Sequence, residues 1–360
     1  MDFALTEEQR MLHDSVSGYL ASTCNIDVVR EAAAEGQTHN AMLAQGLAEL
    51  GVTSILVPED FGGVGLGFLE AALIAESLGA VAAPVSFAST AVMAPVALLK
   101  AGSEEQQETH LPLIAAGEAV YGVAVTEQIG RRDSDGITAA DGQLQGQAMF
   151  VLEGMDAGQI IVADSSGALY LVDAGAVQKT PLKTIDRTRS VAKIEFNNTP
   201  AELLPGSTTS REPLMAMIDA GRVMLAADTL GAGQKMVDDS IAYAKERRQF
   251  NRVIGSFQAV KHMCAEMAAQ LEPCRSMVWY AAHAMDAMPD EARLMACHAK
   301  AHLSEVGQFV ARTATEVHGG MGMTDLLGLH YWFKRIGLDR QLLGAPELVR
   351  EEAARAQGWL

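Results

Sequence analysis

The sequence predicts a mainly α protein with a small antiparallel β-domain at its centre and long helices on either side. Three observations carry this. The 360 residues are 49% hydrophobic but only 5% aromatic, with Ala, Leu, Val and Met supplying most of the apolar content, a mix that favours helix. Apolar residues follow the helical period up to about residue 115 and again from about residue 211 onward. Near residue 120 the pattern switches to short runs cut by Gly, Asp, Asn and Ser, which read as strands and turns.

The first helix opens at Thr6-Glu-Glu-Gln-Arg, where Thr6 is placed as an N-cap with Gln9 three residues later. Helix continues with breaks at Pro58–Gly67 and near Pro84. Pro58-Glu-Asp-Phe-Gly-Gly-Val-Gly-Leu-Gly67 follows no clear strand and is not GxGxxG, so it reads as a connection between helices rather than a dinucleotide loop. Tyr121–Thr126, Gly142–Gly146, Gln159–Val162, Ala168–Val172 and Val191–Phe196 are the expected strands, and Pro205-Gly closes the block. Phe257, Val260, Cys264, Met267 and Leu271 then step by three and four, one apolar stripe assigned to a bundle core. The divisions are 1–118 helical, 119–206 β and 207–360 helical.

A formal net charge of −18 argues against non-specific nucleic-acid binding and against anionic membranes. No apolar run is long enough to span a bilayer. The opening Met1–Gln9 lacks the basic start and apolar core of a signal peptide, so a cytoplasmic protein is expected. Cys24, Cys264, Cys274 and Cys297 form no CxxC pair and have no His at metal-ligand spacing; they read as reduced thiols with no metal.

The chemistry concentrates at Tyr243-Ala-Lys-Glu-Arg-Arg-Gln-Phe250, running on to Ile254-Gly-Ser-Phe-Gln258. Arg247 and Arg248 fall at the predicted end of one helix, a polar and aromatic turn follows, and a second helix begins. Guanidinium groups bind phosphate oxygens through a planar fork, and a helix N-terminus adds N–H donors, so the turn suits a diphosphate. Its plain alternative is a solvated helix end.

That turn, the loop Pro58–Gly63, Leu111–Glu118 followed by Val123–Glu127, and Glu316-Val-His-Gly-Gly-Met-Gly-Met-Thr324 occur in one order on matching structure types. Together they resemble the acyl-CoA dehydrogenase superfamily over nearly the whole chain, and most of all the short subunits of bacterial heteromeric α2β2 enzymes. The resemblance implies an N-terminal helical domain, a β-domain and a C-terminal four-helix bundle. It implies FAD shared across a subunit interface, an acyl-CoA substrate desaturated between its α and β carbons, and an electron-transfer flavoprotein or similar acceptor. Carried over by position, it assigns Arg247, Gln249, Phe250, Phe257, Gln258, Glu316, His318, Gly319, Gly320 and Thr126 to the cofactor, and Asp219 and Arg222 to CoA. Glu316 stands where Gln is usual, and His318 reads equally well as a packed helix-end residue.

The same resemblance marks losses. The catalytic carboxylate is expected at Leu343 or at Gly221, and neither side chain accepts a proton. Glu347, Asp339 and Asp325 are the nearest substitutes in sequence, each read as a surface charge. The flavin loop continues Gln128-Ile-Gly-Arg-Arg-Asp133 in place of small residues, and Phe150-Val-Leu-Glu-Gly154 lacks a Thr. The expectation is a non-catalytic partner subunit completing another subunit's FAD site, with a steroid side chain or another bulky acyl-CoA as substrate. The alternatives are a self-sufficient homotetramer with a displaced base, a nucleic-acid-binding relative, and an assembly subunit without flavin.

Overall fold

Thr6 caps the first helix as expected: its Oγ1 accepts from the Gln9 N–H at 3.2 Å, and the Gln9 side chain accepts from the Thr6 N–H at 2.9 Å. The structure, a computed structural model, describes residues 4–130 and 136–360. Helices α1 (Glu7–Thr23), α2 (Ile26–Glu35), α3 (Ala41–Glu49), α4 (Phe68–Ala80), α5 (Ala94–Ala101) and α6 (Glu104–Ala115) come first. The stretch 58–67 is a helix-to-helix connection, with one short helical turn at Glu59–Phe61.

An eight-stranded sheet follows: β1 (Tyr121–Ala124), β2 (Ile137–Ala140), β3 (Gln143–Leu152), β4 (Gln159–Ala163), β5 (Leu169–Asp173), β6 (Gln178–Pro181), β7 (Val191–Pro200) and β8 (Glu202–Leu203). The one-turn helix α7 (Thr126–Ile129) follows β1. The strand order is β6-β7-β3-β1-β4-β5-β8, with β2 paired to β3. Asp141 and Gly142, both at positive φ, make the tight β2–β3 turn, so the expected strand at 142–146 is the second arm of a hairpin. One pairing departs from the antiparallel expectation. β1 and β4 are parallel, Tyr121 opposite Gln159 through Ala124 opposite Val162. The intervening hairpin carries the chain far enough to return in the same direction, which no short turn does.

The C-terminal helices are α8 (Glu212–Glu246), α9 (Gln258–Ala287), α10 (Pro289–His318), α11 (Leu329–Asp339) and α12 (Pro346–Ala356). Between α8 and α9 lies a two-stranded hairpin, β9 (Arg248–Gln249) with β10 (Arg252–Val253). In the α9 stripe, Met267 and Leu271 are buried while Val260 and Cys264 are half-covered, so the helix enters the core only after its second turn. α4 and α8 cross with their backbones in contact: a Cβ on Gly231 would stand 1.8 Å from the Glu76 carbonyl oxygen, and one on Gly79 2.0 Å from that of Asp228. Among the described residues no helix is long and apolar enough to cross a membrane, and no disulfide or metal cluster forms.

A buried charge cluster welds the sheet to the helices. Arg189, beside β7, reaches Asp228 of α8 at 2.8 Å and Asp339 of α11 at 3.1 Å. Arg335 of α11 reaches Asp186 at 3.0 Å, Asp228 at 3.3 Å and the Ala83 carbonyl at 2.9 Å. Asp339 is therefore not the surface charge expected from its sequence position; it is 1% exposed. Burial works to raise Asp228, yet Arg189 and Arg335 hold it below the ordinary carboxylate range. Burial pushes Asp339 well up, with Asp228 adding to the rise. Nearby Glu153, buried and accepting from Ser86 at 3.1 Å, is pushed up to about 7 by burial against the opposing pull of Arg189. Two guanidinium groups face four carboxyls here, and burial shifts Glu153 and Asp339 upward while the arginines pull the other way.

Two outcomes follow from this packing. Gly231→Ala forces α4 and α8 apart and should lower stability by about 2–3 kcal/mol, read from urea unfolding. Glu153 binds its proton more tightly when folded than at its ordinary value of 4.5, so its contribution is complete below that pH and is lost as pH rises toward 7. Glu153→Gln removes that loss. The variant should gain on the native protein by roughly 3 kcal/mol between pH 4.5 and pH 8, and a constant difference across that window would refute the assignment.

Candidate functional site

α8 ends at Arg247, whose backbone is extended and whose N–H donates to the Tyr243 carbonyl at 2.8 Å. The chain then reverses through Phe250 and Asn251, both at positive φ, with Gln249 opposite Arg252. A left-handed Phe is sterically costly, and this one is also 88% exposed. Its ring meets Phe257 edge to face at 6.0 Å, and the Arg252 guanidinium lies 4.0 Å above the Phe257 ring. Phe257 is the residue before α9, and Gln258 opens that helix with its side chain 3.4 Å from His262. Gln249 bonds to the Arg248 carbonyl at 2.7 Å. The side chains of Arg247 and Arg248 are exposed and have no ion-pair partner among the described residues. On a chain of net charge −18, unpaired guanidinium groups at one turn form a local anion site.

α10 ends beside this turn. His318 is buried, its Nδ1 2.8 Å from the Ala314 carbonyl and its ring stacked on Tyr243 at 4.5 Å. Gly319 follows with φ +58° and ψ −140°, which a side chain strongly disfavours, and a Cβ at Gly319 or Gly320 would meet open space. Backbone at this point is bare and reachable, as a bound nucleotide requires. Glu316 is exposed one turn earlier. The structure thus brings together Arg247, Gln249, Phe250, Phe257, Gln258 and the Glu316–Gly320 stretch. It turns the imidazole of His318 inward, against the expectation of a direct contact.

Asp219 and Arg222, the expected CoA pair, sit in a closed cluster. Arg222 is fully buried; it bonds both Glu352 oxygens at 2.8 and 2.9 Å, Asp219 at 3.2 Å and the Leu343 carbonyl at 2.9 Å. Asp219 also accepts from Arg293 at 3.0 Å, and burial pushes it up to about 6 despite both arginines. Neither side chain faces solvent. Arg293 and Glu352, absent from the sequence reading, complete the set; they lie 74 and 133 positions beyond Asp219, and no local pattern links them.

A cleft of about 520 Å³ lies between the β-domain and α11–α12 and is lined by Thr126, Phe150, Leu152, Lys183, Leu343 and Gly344 among others. None of the described lining residues is Asp or Glu. Thr126 is held by its hydroxyl, 3.4 Å from the Phe150 carbonyl. Leu343 is 4% exposed at φ +56°, held there by the Arg222 contact. The space beside Gly221 is filled by two side-chain ends: a Cβ would stand 2.5 Å from the Leu343 Cδ1 and 2.7 Å from the Met93 sulfur, so both would have to shift to admit one. The substitute carboxylates do not serve the cleft. Asp339 belongs to the buried cluster, Asp325 pairs with Arg30 at 2.8 Å, and Glu347 is exposed near Arg340 at 3.4 Å. Within α7, Gln128 donates to the Asp164 carbonyl at 2.6 Å; Arg131, Arg132 and Asp133, beyond that helix, lie outside the described residues.

Two family models match, "Acyl-CoA dehydrogenase, N-terminal domain" over residues 6–118 and "Acyl-CoA dehydrogenase, C-terminal domain" over residues 212–358. The acyl-CoA dehydrogenase IpdE2 of Mycobacterium tuberculosis is 30% identical over 347 residues, covering 95% of this chain and 95% of its own. Of solved structures, the ChsE4-ChsE5 complex from Mycobacterium tuberculosis matches with TM-score 0.91 and 27% identity over 100% of both chains. The G363A variant of the Tcur3481-Tcur3483 steroid ACAD matches with TM-score 0.87 and 25% identity over 98% of each.

The packing at Gly221 yields a direct test. Gly221→Glu would bury a carboxylate against Leu343 and Met93 with no partner. It should lower stability by about 3 kcal/mol or more in thermal or urea unfolding, and a neutral result would show that Leu343 and Met93 move aside and leave the carboxylate reachable by water.

Proposed function

The chain belongs to the acyl-CoA dehydrogenase family, and from that premise we propose that it completes the FAD site of a neighbouring catalytic subunit in a heteromeric enzyme without performing the chemistry in its own cleft. The observation that carries this is a contrast. Arg247 and Arg248 are exposed and have no ion-pair partner among the described residues, whereas Leu343 is buried and apolar and the space beside Gly221 is filled by Leu343 and Met93.

Desaturating an acyl-CoA requires a carboxylate within reach of the α proton, because that C–H is only weakly acidic. FAD, when bound, supplies the acceptor for the hydride from the β carbon. In this chain Leu343 and Gly221 offer no base, and Arg222 is engaged with Glu352 and the Leu343 carbonyl. Arg222 then fixes the backbone of a vestigial site, and Asp219 stabilises Arg222. Arg247 and Arg248 would hold the diphosphate, Gln249 and Gln258 would add polar contacts, and the bare backbone at Gly319 and Gly320 would admit the adenine half. Phe250 would meet the neighbouring subunit. Thr126 lines the chain's own cleft and would have no role toward the shared cofactor.

The assembly we propose is α2β2, acting on a steroid side chain or other bulky acyl-CoA and passing electrons to an electron-transfer flavoprotein; likeness to a two-protein complex and to a steroid ACAD supports the heteromer and the steroid substrate. The alternative of a homotetramer with a displaced base has no carboxylate in the described cleft lining to support it.

Co-expression with a neighbouring acyl-CoA dehydrogenase gene, followed by flavin counting and native mass, tests the reading. The chain alone should be colourless and inactive; the complex should carry fewer than one FAD per chain. Arg247→Ala in the complex should weaken FAD binding about 10- to 100-fold, the scale of a charged hydrogen bond. A yellow chain purified alone, with one FAD per copy and bleached by acyl-CoA thioesters, would sink it.

A further inference from the structure

The two parts of the cofactor-facing surface come from different helices. Arg247 closes α8, and Gly319 follows α10. Their relative placement depends on a contact between the two helix ends. Tyr243, one helical turn before Arg247, lays its ring on the His318 imidazole, with centroids 4.5 Å apart and planes inclined by 27°. The Tyr243 carbonyl accepts the Arg247 N–H at 2.8 Å, so the ring and the guanidinium share one rigid turn. On the other side, His318 Nδ1 lies 2.8 Å from the Ala314 carbonyl, which fixes the imidazole at the last turn of α10. The next residue is Gly319, at φ +58° and open to solvent. Among the described residues the Tyr243 hydroxyl has no hydrogen bond, so the contact is made by the ring.

We propose that Tyr243 and His318 form an aromatic brace that sets the position of the Arg247 guanidinium relative to the Gly319–Gly320 backbone, and that both are positioning residues for FAD at this surface. His318 acts by its shape and packing and does not itself touch the cofactor. This rests on the reading above, that the surface receives FAD from a neighbouring subunit. It departs from the position-by-position assignment of His318 to the cofactor, because a ring 5% exposed and stacked on Tyr243 has no free face to offer. Stacked rings constrain both separation and tilt, which a pair of aliphatic side chains does not.

The experiment titrates FAD into the deflavinated assembly and follows flavin fluorescence and the circular dichroism of the bound flavin. Tyr243→Phe keeps the ring and should retain native affinity and the native flavin spectrum; His318→Phe keeps the stack but loses the Nδ1 contact with the Ala314 carbonyl, and should lose clearly less affinity than His318→Leu. Tyr243→Leu and His318→Leu remove the stack and should weaken FAD about tenfold and change the bound-flavin spectrum, with the chain still folded by far-UV circular dichroism. Native affinity in both Leu variants would overturn the brace. So would equal losses in His318→Phe and His318→Leu, since that pattern means the imidazole contacts the cofactor. A loss that tracks unfolding of the chain would overturn it as well. Arg247→Ala separates the two levels: if it leaves FAD binding unchanged, the shared-site reading itself fails, whereas if it weakens binding while the Leu variants do not, only the brace fails.

Discussion

Two buried arginines hold the domains together. Arg189 leaves the β-domain to meet Asp228 and Asp339 on two helices, and Arg335 returns from α11 to meet Asp186 beside the sheet. Charges removed from water are tolerated only with close partners, so each side chain fixes the others. The cleft at Leu343 lies between the layers this cluster joins, and its shape follows from the weld. Burial pushes Glu153 and Asp339 above the ordinary carboxylate range.

A second buried arginine network decides what the cleft can do. Arg222, bound to Glu352 and Asp219, pulls on the Leu343 carbonyl and holds that residue at φ +56°. The backbone at Leu343 is fixed although its side chain is apolar. Meanwhile the turn beyond Arg247 keeps unpaired cations and a left-handed, exposed Phe250. Backbone strain of that kind costs about 1–3 kcal/mol and is kept only where the surrounding structure holds it. One surface has closed inward and another remains open outward.

Much of this was legible beforehand. The helix–sheet–helix order, the Thr6 cap and the cationic turn follow from local periodicity and from residue types whose preferences act over four or five positions. The parallel β1–β4 pairing was not legible, because it depends on where a long excursion returns. Asp339 was misjudged as a surface charge for the same reason: its partners Arg189 and Asp228 lie more than a hundred positions away. His318 could be read either as a ligand contact or as a packed ring, and only the neighbouring Tyr243 ring distinguishes these.

The sequence by itself determined the elements, the family and the absence of a carboxylate at Leu343 and Gly221, since each is a matter of residue identity and short-range spacing. The tertiary structure decided that Leu343 and Met93 fill the space beside Gly221, that Arg222 is saturated, and that the rings of Tyr243 and His318 join two helix ends. Those are facts of packing between segments far apart in the chain, where space and partner geometry, rather than local preference, set the outcome.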